Sequence, residues 1–237
     1  MATFVLVQGA WHGGWCWRRV VERLRAQGHT VFAPTLTGLG DRAHLATPEV
    51  NLDTHIADVL ALIETEELSD IVLCGHSYGG MVITGTADRL ADKIASLIFL
   101  DAFIPENGQS LFDIQGPERE QMTRTMTEER GHGWLIPSFS SEWFCLADPA
   151  DAAWVDRRCV PHPIGCFAQP VSLTGAWRNI PRLSYIYALG YTNSLFGPFA
   201  ERAKADPGWR YHEVPCGHDV MIDMPDELTA LLIEAAP

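Results

Sequence analysis

The sequence lacks the features that mark membrane, secreted and nucleic-acid-binding proteins. Across 237 residues no apolar run approaches the ~18 residues that a membrane span requires. No basic stretch followed by an apolar segment opens the chain, so we expect a cytoplasmic protein without a membrane partner. Its six cysteines form no Cys-x-x-Cys pair, which predicts reduced thiols and no zinc or redox site. A formal net charge of −13 excludes nucleic acid as an expected partner.

Strand-like apolar runs alternate with helix-like segments along most of the chain. Hydrophobic residues make up 47% of it and charged residues 20%, a balance typical of one folded domain with a large core. The predicted strands are the runs at 3–8, 30–33, 71–74, 94–100, 183–189 and 209–214. This alternation predicts the α/β class, with a mostly parallel central sheet and helices on both faces.

The alternation breaks between residues 105 and 181, where Trp, Phe, Pro and Met become frequent. We interpret residues 105–181 as a small helical cap that is inserted between two strands of the sheet. Residues 1–104 and 182–237 then form the core, and the whole chain is a single domain. The sequence leaves open whether the chain forms a homodimer.

The most informative motif is Gly-His-Ser-Tyr-Gly-Gly at residues 75–80, directly behind the apolar run 71–74. A strand, a Gly-x-Ser-x-Gly turn and a helix in this order predict a nucleophile elbow, which holds a serine hydroxyl clear of the backbone. Glycines without a Cβ let the strand and the helix pack closely at such a bend. The helix N-terminus adds partial positive charge near an oxygen that becomes negative. Ser77 is therefore the candidate nucleophile.

A serine nucleophile needs a base, and the sequence offers nine histidines. His218 follows the last predicted strand and precedes the last predicted helix, which places it on a loop at the carboxyl edge of the sheet. This position also keeps the chain order of hydrolase triads, in which the histidine comes last. We therefore predict His218 as the base. His76 is interpreted as structural, because its side chain cannot point where that of Ser77 points.

Backbone N–H groups near the serine can stabilise the negative oxygen of the reaction. We predict one donor from Tyr78, directly after the serine, and one from Ala10 in the glycine-rich loop 9–14. This loop has neither the spacing nor the context of a Walker loop or a dinucleotide fingerprint, and no cofactor is predicted. The aromatic cap is expected to supply an apolar pocket, although each aromatic residue is also typical of an ordinary core. The candidate pocket residues are Trp11, His12, Phe103, Trp134 and Phe167.

These motifs resemble those of α/β-hydrolases of the hydroxynitrile lyase and plant methylesterase type, with their bacterial carboxylesterase relatives. The matching blocks span nearly the whole chain and lie at residues 9–17, 34–40, 75–80, 101–105 and 217–219. The resemblance implies a small capped esterase that acts on apolar carboxylic esters without a cofactor. Ser77 and His218 carry over onto matching positions.

The chain departs from that family in three respects. Gln8 stands where the family usually has histidine. The plant members place their catalytic aspartate after the strand that corresponds to residues 185–189, and this chain has no carboxylate from 190 to 196. The lyase branch has a lysine after the base histidine and a hydroxyl-bearing residue in the oxyanion loop, where this chain has Asp219 and Ala10. A negative charge beside the site opposes departure of cyanide, which favours hydrolysis.

Asp101 is the candidate for the missing acid. It ends the strand that follows the elbow helix, so we expect it at the same edge of the sheet, one strand away from Ser77. Geometry rather than sequence position recurs among triads, which allows this placement. The alternative is that Asp101 only caps the turn before Ile104. The side chain of Asp219 is expected to point away from the neighbouring imidazole.

The residues together predict a serine hydrolase that cleaves carboxylic esters of apolar or aromatic small molecules through an acyl-enzyme. Two alternatives from other classes stay open. One is a non-hydrolytic enzyme on the same scaffold, such as a hydroxynitrile lyase or a cofactor-free oxygenase. The other is a ligand-binding protein with a decayed triad. The sequence does not identify the ester.

Overall fold

Eight strands and ten α-helices make up the fold, in a computed structural model that describes residues 1–237. The strands β1 to β8 are, in chain order, Thr3–Val7, Thr30–Phe32, Ile71–His76, Ile94–Leu100, Leu135–Ile136, His162–Pro163, Leu183–Ala188 and Trp209–Val214. The helices α1 to α10 are Arg18–Ala26, Leu52–Thr65, Gly79–Arg89, Leu111–Gln115, Pro117–Arg130, Pro149–Asp156, Gly165–Ala168, Gly197–Ala205, Val220–Asp223 and Pro225–Ala235. None of these helices has the length and apolar character that a membrane crossing would need.

Six of the strands form one parallel sheet in the order β2-β1-β3-β4-β7-β8. The two short strands β5 and β6 pair with each other in antiparallel fashion. All six runs predicted from the sequence lie in the larger sheet, which confirms the predicted α/β fold. Because its strands run in one direction, the loops after β1, β3, β4, β7 and β8 all emerge at the same edge.

The central strands are buried along nearly their whole length because helices cover both faces of the sheet. Every residue of β3 is buried, and so is all of β4 except Ala95. The hydrogen-bond register pairs Gly75 of β3 with Val7 of β1 on one side and with Phe99 of β4 on the other. The loops that leave these three strands therefore start at nearly the same level.

Residues 105–181, which we call the cap segment, lie in the chain between β4 and β7. They contain α4 to α7 and the β5-β6 pair. Since β4 and β7 are direct neighbours in the sheet, the segment leaves the order of the core strands continuous. Phe112, Phe144 and Phe167 of the cap segment belong to the same cluster of buried hydrophobic residues as the sheet. The cap segment thus shares the core of the domain.

Candidate active site

Ser77 occupies the turn between β3 and α3, with a backbone φ of 55° in the left-handed region. A residue other than glycine is uncommon there, and the conformation costs about 1–3 kcal/mol. Contacts with the end of β4 and with the loop after it hold Ser77 in place. The N–H of Ser77 donates to Leu100 O at 3.2 Å, and the N–H of Phe103 donates to Ser77 O at 3.3 Å.

Three glycines around Ser77 permit the close approach of the strand, the helix and the neighbouring loops. A Cβ on Gly75 would lie 2.7 Å from Gly79 O, and a Cβ on Gly79 would lie 2.8 Å from Gln8 O. A Cβ on Gly80 would overlap the carbonyl oxygen of Phe103. The glycines of the motif therefore reflect packing at the turn, where no larger residue fits without a shift of the backbone.

Asp101 and His218 form a hydrogen-bonded pair at the carboxyl edge of the sheet. Oδ2 of Asp101 lies 2.6 Å from Nδ1 of His218, and Oδ1 accepts from the N–H of Ala188 at 3.3 Å. Both side chains are buried. The hydroxyl of Tyr185 donates to Ala102 O at 2.8 Å and so braces the loop that carries the aspartate. With Nδ1 engaged, Nε2 is the ring nitrogen left for chemistry.

Burial determines the protonation of this imidazole. It lowers the pKa of His218 to about 4, while the charge of Asp219 acts in the opposite direction. Burial raises the pKa of Asp101 well above its usual value, and the hydrogen bond from Ala188 opposes this shift. The imidazole is therefore neutral near pH 7. Because Nδ1 faces a carboxyl oxygen, the single proton lies on Nδ1 and Nε2 carries a lone pair.

Aromatic rings and two backbone bonds fix the position of His218. The ring of Phe196 stacks on the imidazole with centroids 5.1 Å apart and an interplanar angle of 9°, and Tyr191 stacks at 4.5 Å and 23°. The N–H of His218 donates to Phe144 O at 2.8 Å, and His218 O accepts from Nε2 of His76 at 3.0 Å. The histidine therefore has little freedom to rotate away from Asp101.

The backbone N–H groups of Ala10 and Tyr78 donate no hydrogen bond to any protein acceptor. Both residues are buried, and both line the cavity that Ser77 lines. Buried N–H groups without a partner are rare, and pairs of them beside a nucleophile are typical of oxyanion sites. A Cβ on Gly9 would lie 2.9 Å from Cβ of Ser77, so the loop after β1 passes directly beside the serine.

A second imidazole–carboxylate pair, His12 with Asp219, is buried next to the first. Nδ1 of His12 lies 2.8 Å from Ala10 O, and Nε2 lies 3.2 Å from Oδ2 of Asp219. Because both ring nitrogens face oxygen acceptors, both carry protons and His12 is an imidazolium.

The pKa values of the second pair agree with this geometry. Burial alone would lower the pKa of His12, but Cys159 and Asp219 raise it well above its ordinary value. Burial alone would raise the pKa of Asp219, but the charge and hydrogen bond of His12, with smaller contributions from His76 and His218, lower it to about 2. Both partners are therefore charged near neutral pH. As expected, the Asp219 carboxylate does not bond to the imidazole of its neighbour.

A mostly apolar cavity opens beside Ser77, and twelve of its seventeen lining residues are hydrophobic. Arg119 and Gln115 add polar groups from the cap segment, and Asn193 adds one from the loop after β7. The other lining residues from these two segments are Leu111, Phe139, Trp143, Phe144, Phe167, Tyr191, Leu195 and Phe196. An aromatic or aliphatic ligand group therefore finds matching surface beside the serine.

Two of the predicted pocket residues lie elsewhere. Trp11, Phe103 and Phe167 line the cavity, whereas His12 and Trp134 do not. The side chain of His12 turns away because its imidazolium bonds to Asp219 and to the loop carbonyl. Trp134 precedes β5, where its carbonyl accepts from Ile164 N–H at 2.9 Å. Aromatic content alone does not tell which face of the cap segment a residue occupies.

No role was predicted from the sequence for the residues that surround the imidazole. Tyr191 and Phe196 pack on His218, but the only feature of their loop used in the prediction is that it has no carboxylate. The available signal was positional: the loop follows a strand of the parallel sheet, so its aromatic residues fall at the same edge as the serine. Phe144 could not be placed, since its contact with His218 depends on the path of the cap segment.

Gln8 fills the position where histidine is usual in the resembling family. Its amide is oriented by its neighbours, so that its nitrogen donates to Pro34 O at 2.8 Å and its oxygen accepts from Leu36 N at 2.9 Å. The side chain is fully buried. Gln8 therefore ties the end of β1 to the loop after β2, and the loop that carries Ala10 starts from a fixed point.

One group of side chains has the composition of a metal site: His55, His162 and Cys166, whose donor atoms lie within 4.8 Å of one another. Both nitrogens of His55 already have partners, the hydroxyl of Tyr78 at 2.9 Å and Thr37 O at 2.8 Å. A metal ion would need a free lone pair on this imidazole, so binding would break one of these bonds. The two histidines of the group instead contact Tyr78, His55 through its hydrogen bond to the hydroxyl and His162 through its ring.

The location of the site defines the class of protein. Hydrolases of the α/β fold hold a serine on the turn after a central strand and a histidine on the loop after the last strand, and this chain does the same. The sequence matches the profile of the Alpha/beta hydrolase family over residues 4–231. The chain belongs to this family.

Three similar proteins show how far the likeness extends. A carbendazim hydrolyzing esterase from Nocardioides sp. (strain SG-4G) is 47% identical over 240 residues, which cover 98% of each chain. Methylesterase 2 from Arabidopsis thaliana is 34% identical over 141 residues, 59% of this chain and 52% of that protein.

The third is a solved structure of an extracellular alpha/beta-hydrolase from a Paenibacillus species, described as sharing structural and functional homology with tobacco salicylic acid binding protein 2. It has a TM-score of 0.85 and 25% identity, and the match covers 100% of this chain and 99% of that one. The relatives confirm the predicted methylesterase-like branch and the predicted esterase-type hydrolase.

Proposed function

We propose that Ser77, His218 and Asp101 form the catalytic triad of a serine esterase, with the N–H groups of Ala10 and Tyr78 as oxyanion donors. The observation that carries the proposal is the 2.6 Å hydrogen bond between Asp101 and His218, on a histidine that lines the cavity of Ser77. An aspartate in this position selects the imidazole tautomer that can accept a proton from the serine.

In the acylation step, Oγ of Ser77 attacks the carbonyl carbon of the ester and its proton passes to Nε2 of His218. The negative charge moves to the former carbonyl oxygen, where the two N–H groups stabilise it; each such donor contributes about 3 kcal/mol to lowering the barrier. His218 then returns the proton to the leaving alcohol. The acyl group remains on Ser77 as an ester.

In the deacylation step, water attacks the acyl-enzyme and gives its proton to His218, and the carboxylic acid leaves as Ser77 regains the proton. Ser77 and His218 share no hydrogen bond in this structure, although both line the cavity. Such bonds are often long in enzymes without ligand and tighten in the substrate complex. We expect the bond to form when an ester fills the cavity.

The substrate class that fits the cavity is a small ester with an aromatic or aliphatic body. The apolar lining supports this choice, and the 47% identical relative named for carbendazim hydrolysis provides a specific candidate. Carbendazim joins a planar heteroaromatic ring to a methyl carbamate, and its carbonyl can be attacked by a serine in the same way as that of an ester. We propose aryl esters and methyl carbamates of aromatic amines as the first substrates to test.

The experiment is a substrate panel with the purified full-length chain. We expect hydrolysis of p-nitrophenyl acetate and of at least one aromatic methyl ester or carbamate. We expect no benzaldehyde release from mandelonitrile and no oxygen consumption. Cleavage of mandelonitrile without ester hydrolysis would favour a lyase. Inactivity on every ester, together with tight binding of an aromatic ester, would favour a decayed triad.

We extend the proposal to the domain organisation and the cellular location. The cap segment 105–181 acts as an insertion on a core of residues 1–104 and 182–237, which its position between β4 and β7 supports. The protein is cytoplasmic, which six free cysteines support because free thiols suit a reducing compartment. Light scattering on the purified protein tests whether the chain forms the homodimer that the sequence leaves open.

A further inference from the structure

The peptide bond that joins Ala10 to Trp11 is held by a histidine at each end. On one side Nδ1 of His12 donates to Ala10 O at 2.8 Å, and on the other the N–H of Trp11 donates to Nδ1 of His162 at 3.3 Å. Trp11 has a φ of 65°, a strained value for a large aromatic residue. The loop therefore depends on outside contacts to keep the conformation in which Ala10 lines the cavity.

Every hydrogen bond that Trp11 forms with a residue outside its own loop is with the cap segment. Besides the bond to His162, Trp11 O accepts from the N–H of Val160 at 3.0 Å, and the indole Nε1 donates to Ile136 O at 3.3 Å. Ile136 and His162 are paired residues of the β5-β6 sheet. This small sheet thus holds both the backbone and the side chain of the residue next to the proposed oxyanion donor.

The bonding of His162 is that of a neutral acceptor. Since the N–H of Trp11 points at Nδ1, the ring proton lies on Nε2, which is buried without a partner. Burial lowers the pKa of His162 well below its usual value, and the nearby His55 adds to this. An apolar side chain would avoid burying an unpartnered N–H, so packing alone does not account for a histidine here.

His162 also touches the second proposed donor residue. Its ring meets the ring of Tyr78 edge-on, with centroids 4.9 Å apart. The hydroxyl of Tyr78 in turn bonds to His55 at 2.9 Å. His162 lies outside the cavity lining, and it contacts Tyr78 and the peptide bond between Ala10 and Trp11.

We propose that His162 is a positioning residue for ester hydrolysis: by accepting the hydrogen bond of Trp11 it fixes the oxyanion loop and links the oxyanion site to the cap segment. This inference rests on the proposed function, and in particular on the oxyanion role of Ala10. The histidine touches no reacting atom. It affects the rate by fixing the position of the peptide between Ala10 and Trp11.

The test compares His162→Asn with His162→Leu. The amide oxygen of asparagine reaches nearly the place of Nδ1, whereas leucine has similar bulk and no acceptor. We expect His162→Leu to lower kcat on p-nitrophenyl acetate by about tenfold to a hundredfold, less than the full loss of an oxyanion donor. KM should change by less than about threefold, since the residue does not line the cavity. His162→Asn should recover most of the lost kcat.

A second readout isolates the oxyanion. Oγ of Ser77 adds to the carbonyl carbon of an aryl trifluoromethyl ketone. The serine proton passes to His218, and the former carbonyl oxygen takes the negative charge. The matching aryl methyl ketone binds without this addition. We expect His162→Leu to weaken binding of the trifluoromethyl ketone by the same factor by which it lowers kcat. Binding of the methyl ketone should not change. A purely structural role would weaken both ketones alike.

The outcomes separate this inference from the proposed function. Wild-type kcat in a folded His162→Leu variant would overturn the positioning role and leave the esterase proposal intact. Equal losses in the leucine and asparagine variants would overturn it too, since the acceptor would then be irrelevant. If the leucine variant does not fold, His162→Gln replaces it, because its longer side chain misplaces the acceptor and should not recover kcat. Failure of the wild-type chain to hydrolyse any ester would count against the proposed function itself.

Discussion

The carboxylate of Asp101 hydrogen-bonds to Nδ1 of His218 over 2.6 Å, although 117 residues separate the two in the chain. The bond passes the end of β7, the strand that lies between their own strands in the sheet. The loop after β7 carries no carboxylate and instead packs Tyr191 and Phe196 against the imidazole. The carboxylate that faces the imidazole therefore follows β4, and the neighbouring loop contributes packing.

Replacing Asp101 with asparagine should lower kcat on p-nitrophenyl acetate by about 10³ to 10⁴, because the amide favours the wrong imidazole tautomer. Steady-state kinetics measure the loss, and thermal unfolding checks that the variant is folded. The matched control is Asp92→Asn, the same change on an exposed residue at the other end of β4. We expect the control to keep its activity. Near-normal turnover by the Asp101 variant would remove this residue from the triad.

The pH profile of kcat/KM should report the burial of His218. In the proposed mechanism the imidazole must be neutral to accept the serine proton, and burial lowers its pKa to about 4. Activity should therefore stay level through neutral pH and fall only as the pH drops toward this value. The profile is measured with p-nitrophenyl acetate at low substrate concentration. A midpoint at or above the ordinary histidine value of ~6.5 would contradict a base held in this environment.

Asp219→Asn should destabilise the fold by about 3–5 kcal/mol at neutral pH, because it leaves the buried charge of His12 without a partner. Urea unfolding followed by tryptophan fluorescence measures the change. In the wild type, this contribution of Asp219 is present above the ordinary carboxyl pKa and is lost as the pH falls toward about 2.

The matched control for this pair is Asp226→Asn. Asp226 pairs with Arg23 at 2.6 Å, and its side chain is 77% exposed. Exposed ion pairs contribute little to stability, so the free energy of unfolding should hardly change. Equal effects of the two substitutions would argue that the pair of His12 and Asp219 is not charged in the folded protein.

Gly80→Ala should destabilise the nucleophile turn, because the added Cβ overlaps the carbonyl oxygen of Phe103. We expect a loss of about 1–3 kcal/mol together with a drop in kcat, since the shift displaces Ser77. Gly197→Ala at the start of α8 is the control, where the nearest atom to a Cβ is the Tyr187 hydroxyl at 3.8 Å. Thermal unfolding and kinetics of both variants provide the comparison. Full activity in Gly80→Ala would show that the turn tolerates a Cβ.

The strands and the nucleophile turn could be predicted from local pattern, because parallel strands are continuous apolar runs and the turn needs glycines at fixed positions. The edge of the sheet at which His218 and Asp101 emerge follows from strand direction alone. The distance between the two residues cannot be predicted in this way, since it depends on the strand order β4-β7-β8, which the sequence does not state.

The pocket could be predicted only in part for a similar reason. The place of His12 on the glycine-rich loop predicts a pocket residue. Its side chain instead bonds to Asp219, which lies 207 residues away in the chain. A buried ion pair between such distant residues leaves no local pattern. The lining from the cap segment depends on how short helices pack over the sheet, and aromatic content does not fix that packing.

The sharpest test of Ser77 as an activated nucleophile is mass spectrometry after treatment with a fluorophosphonate. We expect the wild-type chain to gain one phosphonyl group on Ser77 and to lose esterase activity in proportion to the labelling. Ser77→Ala should gain no label and hydrolyse no ester. Labelling at another residue, or ester turnover by Ser77→Ala at the wild-type rate, would show that Ser77 is not the nucleophile.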